Sequence, residues 1–248
     1  MASLTVRGIV VRYAKYREAD RILTLITHER GKLTAAARGA RRTKSKLMGG
    51  TELFCYGVFD LFEQKDRFTV DDCQLEDNFY DLRLSVDKLA YGTWVAQLAE
   101  TCMNEGEPNE PLFLLTLQAL AQLCYGEANP RDAALAYALQ LLDVMGYRPP
   151  LTHCARCGRE VGEPRFFDVD AGGVSCGCLR GPLVRPIHPG LAEVMRILLD
   201  TPMDRFHTVH YPPERMQELR GVLADTLSLR LERPFTSLSV VEQRWGLG

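Results

Sequence analysis

The chain is short of several things, and each shortage removes a class of protein. Its formal net charge is only −2 over 248 residues, so the total gives no hint of a polyanion or membrane-surface partner. The longest apolar run, residues 112–125, is broken by Thr116, Gln118 and Gln122 and is too short to cross a bilayer, so no membrane partner is expected. The first residues, Met1-Ala2-Ser3-Leu4-Thr5-Val6-Arg7, show no basic region followed by an apolar core and a small-residue cleavage site, which sets the expectation of a cytoplasmic protein. No repeat at a fixed period and no low-complexity tract occurs, which excludes solenoids, propellers and disordered arrays. Neither Gly-x-x-x-x-Gly-Lys-[Ser/Thr] nor Gly-x-Gly-x-x-Gly is present, so no nucleotide cofactor is expected. His-Glu-x-x-His, Gly-x-Ser-x-Gly and a paired acidic motif for two-metal chemistry are also missing, and His28, His207 and His210 have no recognisable partner pattern. A binding protein is favoured over an enzyme, although triads assemble across distant sequence.

What is present is enough apolar residue, 46%, for a sizeable core, and an uneven distribution of cysteine. Four of the eight cysteines fall in one stretch, Cys154-Ala-Arg-Cys157 and Cys176-Gly-Cys178. Two thiolate pairs on tight turns can close a tetrahedron around Zn²⁺, and the eighteen residues between the pairs suit a zinc ribbon. The second pair is irregular, with one intervening residue where ribbons carry two. Gly177 allows the sharp bend that this needs, and His153 or His188 is an alternative fourth ligand should Cys178 not reach. Two rival readings are a disulfide, disfavoured in a reducing compartment, and a thioredoxin-like redox pair, disfavoured because Pro149-Pro150 precedes the motif where a strand is required. Zinc in a structural role is therefore expected. Cys55, Cys73, Cys102 and Cys124 are scattered among apolar residues and read as small core side chains.

Splitting the chain reveals what the net charge hides. Residues 1–50 carry twelve Lys and Arg against three acids, +9, which leaves −11 on the other 198 residues. The density peaks in Arg38-Gly39-Ala40-Arg41-Arg42-Thr43-Lys44-Ser45-Lys46, five cations with no acid. Such a segment is either a solvated loop or a phosphate-binding one. Arginine suited to bidentate contacts, hydroxyls able to donate, and the missing acids favour nucleic acid. With the neighbouring cations the candidate contact set is Lys15, Arg17, Arg21, Arg38, Arg41, Arg42, Lys44 and Lys46.

Residues 4–13, 21–27, 32–37, 53–63 and 68–75 are rich in Val, Ile, Thr, Phe and Tyr and read as five strands, which in about eighty residues suggests an OB-fold barrel. Residues 15–20, 38–50 and 64–66 read as the loops between them. Of the available rings Tyr13, Tyr16, Phe54, Tyr56 and Phe68, Tyr16 is expected to be exposed and most of the others to fill the barrel. After Asp77 the apolar period lengthens toward 3.6. Leu82, Val86, Leu89 and Ala90 begin one helix, residues 112–125 form an apolar helix expected to be central, and Leu135, Leu139, Leu142 and Met145 mark another that ends at Gly146. Pro189-Gly190 and Pro212-Pro213 open two more. The fold expected is thus a multidomain α+β chain: a five-stranded OB-fold barrel over residues 1–79, then a helical bundle over 80–248 with a zinc-finger-like insertion at 150–185.

The order of these elements, together with Ala36-Ala37-Arg38-Gly39-Ala40-Arg41-Arg42 and Lys44-Ser45-Lys46 and the late cysteine cluster, resembles the RecO family of bacterial recombination mediators along the whole chain. The resemblance implies binding of single- and double-stranded DNA, annealing of complementary strands without ATP, association with RecR, and help in loading RecA onto strands coated by single-strand-binding protein (SSB), in the nucleoid. By position it lays DNA contact on Arg38, Arg41, Arg42, Lys44 and Lys46, and metal binding on Cys154, Cys157, Cys176 and Cys178. Two other classes remain: a protein-binding scaffold of a repair complex with little DNA affinity, and a metal-dependent DNA enzyme.

Overall fold

A computed structural model describes residues 2–65, 67–179, 181–231 and 238–246. Strands β1 (Ala2–Tyr16), β2 (Asp20–Thr27), β3 (Gly31–Ala37), β4 (Tyr56–Gln64) and β5 (Arg67–Asp77) close a barrel in the order β1-β2-β3-β5-β4, with β1 returning to β4. One strand serves two neighbours: residues 2–9 of β1 pair with β4, residues 8–16 pair with β2, and the register slips between Val10 and Arg12. That bulge bends β1 around the corner of the barrel. β3 and β5 touch at only two parallel pairs, Ala35 with Phe68 and Ala36 with Thr69, so the wall is thinnest there.

Alternation sets the barrel's inside. Val6, Val10, Leu23, Leu25, Phe59 and Leu61 fill it, while Ile9, Val11 and Ile26 point the other way and join the core of the helical body with Phe54. Residues 23–27 of β2 are all buried, because that strand is covered on both faces.

The body consists of α1 (Val86–Cys102), α2 (Glu110–Tyr125), α3 (Pro130–Val144), α4 (Pro189–Asp200), α5 (Pro213–Arg230) and α6 (Leu238–Trp245). Side chains of Ser85, Asn109, Asn129 and His188 accept N–H bonds at the starts of α1 to α4, and Gly146 beyond α3 sits at φ +84°, the left-handed conformation that stops a helix. The central helix is α3, not α2 as its apolar run suggested. Every residue of α3 from Asp132 to Leu142 is buried, with Ala133, Ala134, Ala136 and Ala138 letting α1, α2, α4 and α5 approach. In α2, Leu114 and Gln118 instead face solvent. The first helix also begins four residues later than its period implied, because Leu82 sits in the 3-10 turn Tyr80–Arg83 and Ser85 caps Val86. At residues 53–55 the expected strand gives way to a turn in which Phe54 takes φ 71°, and β4 starts at Tyr56.

The barrel is seated firmly on the body. Arg12 forks onto Glu100 of α1 at 2.9 and 3.1 Å, His28 reaches Glu110 at 3.1 Å, and the backbone N–H of Lys32 donates to the carbonyl of Asn104 at 2.8 Å. Gly31, at φ +63°, lies so close that a Cβ there would come within 2.1 Å of the Glu107 carbonyl oxygen. Between α3 and α4 a small sheet, β6 (Phe166–Asp168), β7 (Gly173–Ser175) and β8 (Val184–Pro186), pairs in the order β7-β6-β8.

Candidate nucleic-acid groove and metal centre

The thin β3–β5 wall opens into a groove of about 570 Å³. Three loops meet around it. The β1–β2 turn brings Tyr16 and Arg17, the segment after β3 brings Arg38, and the β4–β5 hairpin brings Gln64 and Arg67, with Phe62 and Phe68 in the walls. Among the described residues the carboxylates here are Asp20, which accepts the Gly39 N–H at 2.8 Å, and Asp71. Tyr16 is 47% exposed with the Arg17 guanidinium over its ring at 5.2 Å, a cation–π pair presented to solvent. Cations, hydroxyls and half-exposed rings around one trough match what an unpaired strand requires: charge for its backbone and flat surfaces for its bases.

The structure sorts the eight expected contact residues into three groups. Lys15, Arg17, Arg38, Arg42 and Lys44 are exposed and, among the described residues, none forms an ion pair with a carboxylate. Arg41 and Lys46 are exposed with weak ties. Arg41 donates to the Glu18 carbonyl at 2.9 Å, its backbone N–H donates to Ala19, and Lys46 stands 3.4 Å from an equally exposed Asp72. A surface pair of this kind is worth about 0–1 kcal/mol, so a phosphate can displace it. Arg21 is a different case and leaves the contact set. Its side chain is 11% exposed, donates to the Thr51 carbonyl and hydroxyl at 3.0 Å and to Glu52 at 2.6 Å, and lies 4.7 Å from the Tyr13 ring. Arg21 faces inward because its position in β2 points to the 3-10 turn Gly49–Thr51, which closes the basic segment. Lys15 and Tyr16, expected in a loop, are the last residues of β1, which pairs through Tyr16 with Asp20.

Sequence reasoning missed Arg67, Phe62 and Gln64. Arg67 follows Lys65 and Asp66 in a hairpin of mixed charge, which hid it from a search for charge density; Asp66 itself lies outside the described residues. The available signal was topological: in a five-stranded barrel of this type the turn after strand four lies beside the turn after strand one. Tyr16 is exposed and Phe54 fully buried, both as expected, but Phe68 is only partly buried and belongs to the groove wall.

In the segment between α3 and α4 the four clustered cysteines converge. All four sulfurs lie within 4.8 Å of one another, with Cys154 Sγ 3.7 Å from Cys178 and Cys157 Sγ 3.6 Å from Cys176. A metal bound tetrahedrally at ~2.3 Å from each thiolate spaces the sulfurs by about 3.8 Å, whereas a disulfide needs about 2.05 Å. All are free thiols, and the donor set fits a metal ion. Gly177 takes φ +78° between Cys176 and Cys178, and Gly158 takes φ +71° after Cys157, so both turns use the conformation glycine supplies. Neither histidine substitutes for Cys178. His153 Nδ1 lies 2.9 Å from the Thr152 hydroxyl, and His188 Nδ1 accepts the Gly190 N–H at the start of α4.

The knuckle is held from behind. Arg156, between the first two cysteines, donates to buried Asp168 at 2.8 and 3.2 Å and also pairs with Asp170, and the Ala155 N–H donates to Val174 of β7 at 2.9 Å. Burial alone would raise the Asp168 carboxyl, but Arg156 and the Ala171 N–H hold it below the ordinary range. Burial likewise opposes ionisation of Cys154, yet backbone N–H groups of Cys176, Cys157 and Arg156 hold that thiol below its ordinary value, while the neighbouring sulfurs push Cys178 up.

Comparison with known proteins covers both halves. The family model described as Recombination protein O N terminal matches residues 1–79, and the one described as Recombination protein O C terminal matches residues 83–239. A DNA repair protein RecO from Acetivibrio thermocellus is 32% identical over 98% of this chain and 97% of its own length. Those of Alkaliphilus metalliredigens and Symbiobacterium thermophilum are 30% and 33% identical, covering 95% and 96% of this chain.

Proposed function

Since this chain belongs to the RecO family of DNA repair proteins, we propose that it is a recombination mediator that binds single- and double-stranded DNA, anneals complementary strands without ATP, and with RecR helps load RecA onto SSB-coated DNA. The observation that carries this reading is the groove at the β3–β5 seam, where Arg17, Arg38 and Arg67 surround Tyr16, Phe62 and Phe68. A strand in that trough is held by its phosphates on the rim and by its bases on the rings. Beside it, the exposed cations Arg42 and Lys44, with the weakly tied Arg41 and Lys46, would neutralise phosphates of a second strand or of a duplex.

Annealing then needs no chemical energy. Each stacked step formed releases roughly 1.4 kcal/mol, so pairing is downhill and the barrier is the mutual repulsion of two phosphate backbones. Cations on one rigid barrel lower that repulsion by holding both strands at once. The protein acts as a surface rather than a catalyst of bond making, and cytoplasmic, nucleoid-associated work on DNA with RecR and SSB as protein partners follows from the same reading. Cys154, Cys157, Cys176 and Cys178 would hold Zn²⁺, which cross-links the segment around residues 150–185. Among its described residues no strand of that segment exceeds three residues, too little to bury a core of its own.

Two assays on the purified chain test this. SSB-coated complementary oligonucleotides should anneal faster with the protein and RecR present, without nucleotide, and elemental analysis should find about one zinc per chain. Unaccelerated annealing would contradict the mediator reading, and degradation of the strands when Mg²⁺ or Mn²⁺ is added would replace it with a metal-dependent enzyme.

A further inference from the structure

The β3–β5 seam opens on both sides of its two-residue contact. Beyond Phe68 lies a second cavity of about 340 Å³, bounded by Arg30, Leu33, Thr34, Glu63 and Glu105, and Phe68 forms part of the wall of both openings. The volume falls within the range of about 300–1,000 Å³ typical of small-ligand pockets.

The two cavities differ in charge. Among the described residues around the first, Arg17, Arg38 and Arg67 outnumber Asp20 and Asp71. Around the second, Arg30 and Lys32 are matched by Glu63 and Glu105, and the Lys32 ammonium is committed to the Glu100 carbonyl at 3.0 Å. A phosphate gains little in such a place. A flat base gains the Phe68 ring and carboxylate acceptors for amino groups on its edge.

We propose that a single strand lying in the first groove continues past Phe68, and that the second cavity takes one unpaired base, with Phe68 between two successive bases. This extends the path of the DNA proposed above and rests on that reading. A base held without an added cation raises affinity without steepening the salt dependence, which separates this contact from those of the basic segment.

The test is fluorescence anisotropy with a four-nucleotide and an eight-nucleotide single strand of the same mixed sequence, each titrated over a salt series. The wild-type protein should favour the longer strand on the order of 10-fold, the equivalent of one stacked base, with part of that preference surviving at high salt. Thr34→Trp, at an exposed strand position where a large ring fills the second cavity, should abolish the high-salt preference and leave the four-nucleotide affinity unchanged. Phe68→Leu, which keeps an apolar side chain at the seam, should weaken both strands. A high-salt preference that persists in Thr34→Trp overturns the inference while leaving the groove intact. Failure of Arg17→Ala and Arg38→Ala to weaken the four-nucleotide strand overturns the groove reading, and this inference with it.

Discussion

At the scale of single residues, charge alone does not tell a DNA contact from a structural strut. Arg21 and Arg38 flank the same part of the barrel, yet Arg21 spends its donors on Thr51 and Glu52 while Arg38 lines the open groove. Replacing Arg21 with Ala leaves the buried Thr51 carbonyl without that donor and should cost about 2 kcal/mol of stability, measured by urea denaturation. The salt dependence of DNA binding at temperatures where the variant stays folded should be unchanged. A changed slope with unchanged stability would return Arg21 to the contact surface. From sequence, the cations were visible but their direction was not, because a side chain's orientation on a barrel depends on register and on which loop it meets. Arg67 shows the opposite failure: it sat in a hairpin of mixed charge and became visible only when that hairpin came round beside the β1–β2 turn.

At the scale of elements, the metal knuckle and the helices were legible to different degrees. The cysteine spacing and Gly177 announced a four-sulfur site, and the structure brings those four sulfurs together with Cys178 as a member. What spacing could not show is the support behind it, the Arg156–Asp168 pair and the β6–β7 hairpin, because an Arg and an Asp twelve residues apart carry no pattern. Cys178→Ser should lower bound metal well below one per chain and lower the thermal midpoint, with the short-strand affinity of the barrel retained. Full metal content in that variant would remove Cys178 from the ligand set. Among the helices, proline and glycine marked most ends correctly. The apolar richness of α2 misled because burial depends on neighbours on every side, and the small alanines of α3 are what allow four helices to crowd around it.

At the scale of the whole molecule, the fold class was readable because a change of apolar period from two toward 3.6 near Asp77 is a property of long segments that no single contact overrides. Strand order and the weak β3–β5 seam were not readable, since both follow from how the bulged β1 wraps to meet β4. The molecule is electrically divided, with +9 on the first fifty residues and −11 on the rest, and Arg12, His28 and Lys32 tie the barrel to the body. On the proposed reading, the exposed cations around the groove are the ones that meet DNA. The most direct measurement is the slope of log K against log salt for a short single strand, compared between the wild-type chain and the triple variant Arg17→Ala, Arg38→Ala, Arg67→Ala. A strand held in the groove predicts a slope shallower by about 2, roughly 0.7 for each lost phosphate contact. An identical slope in the two proteins would contradict it.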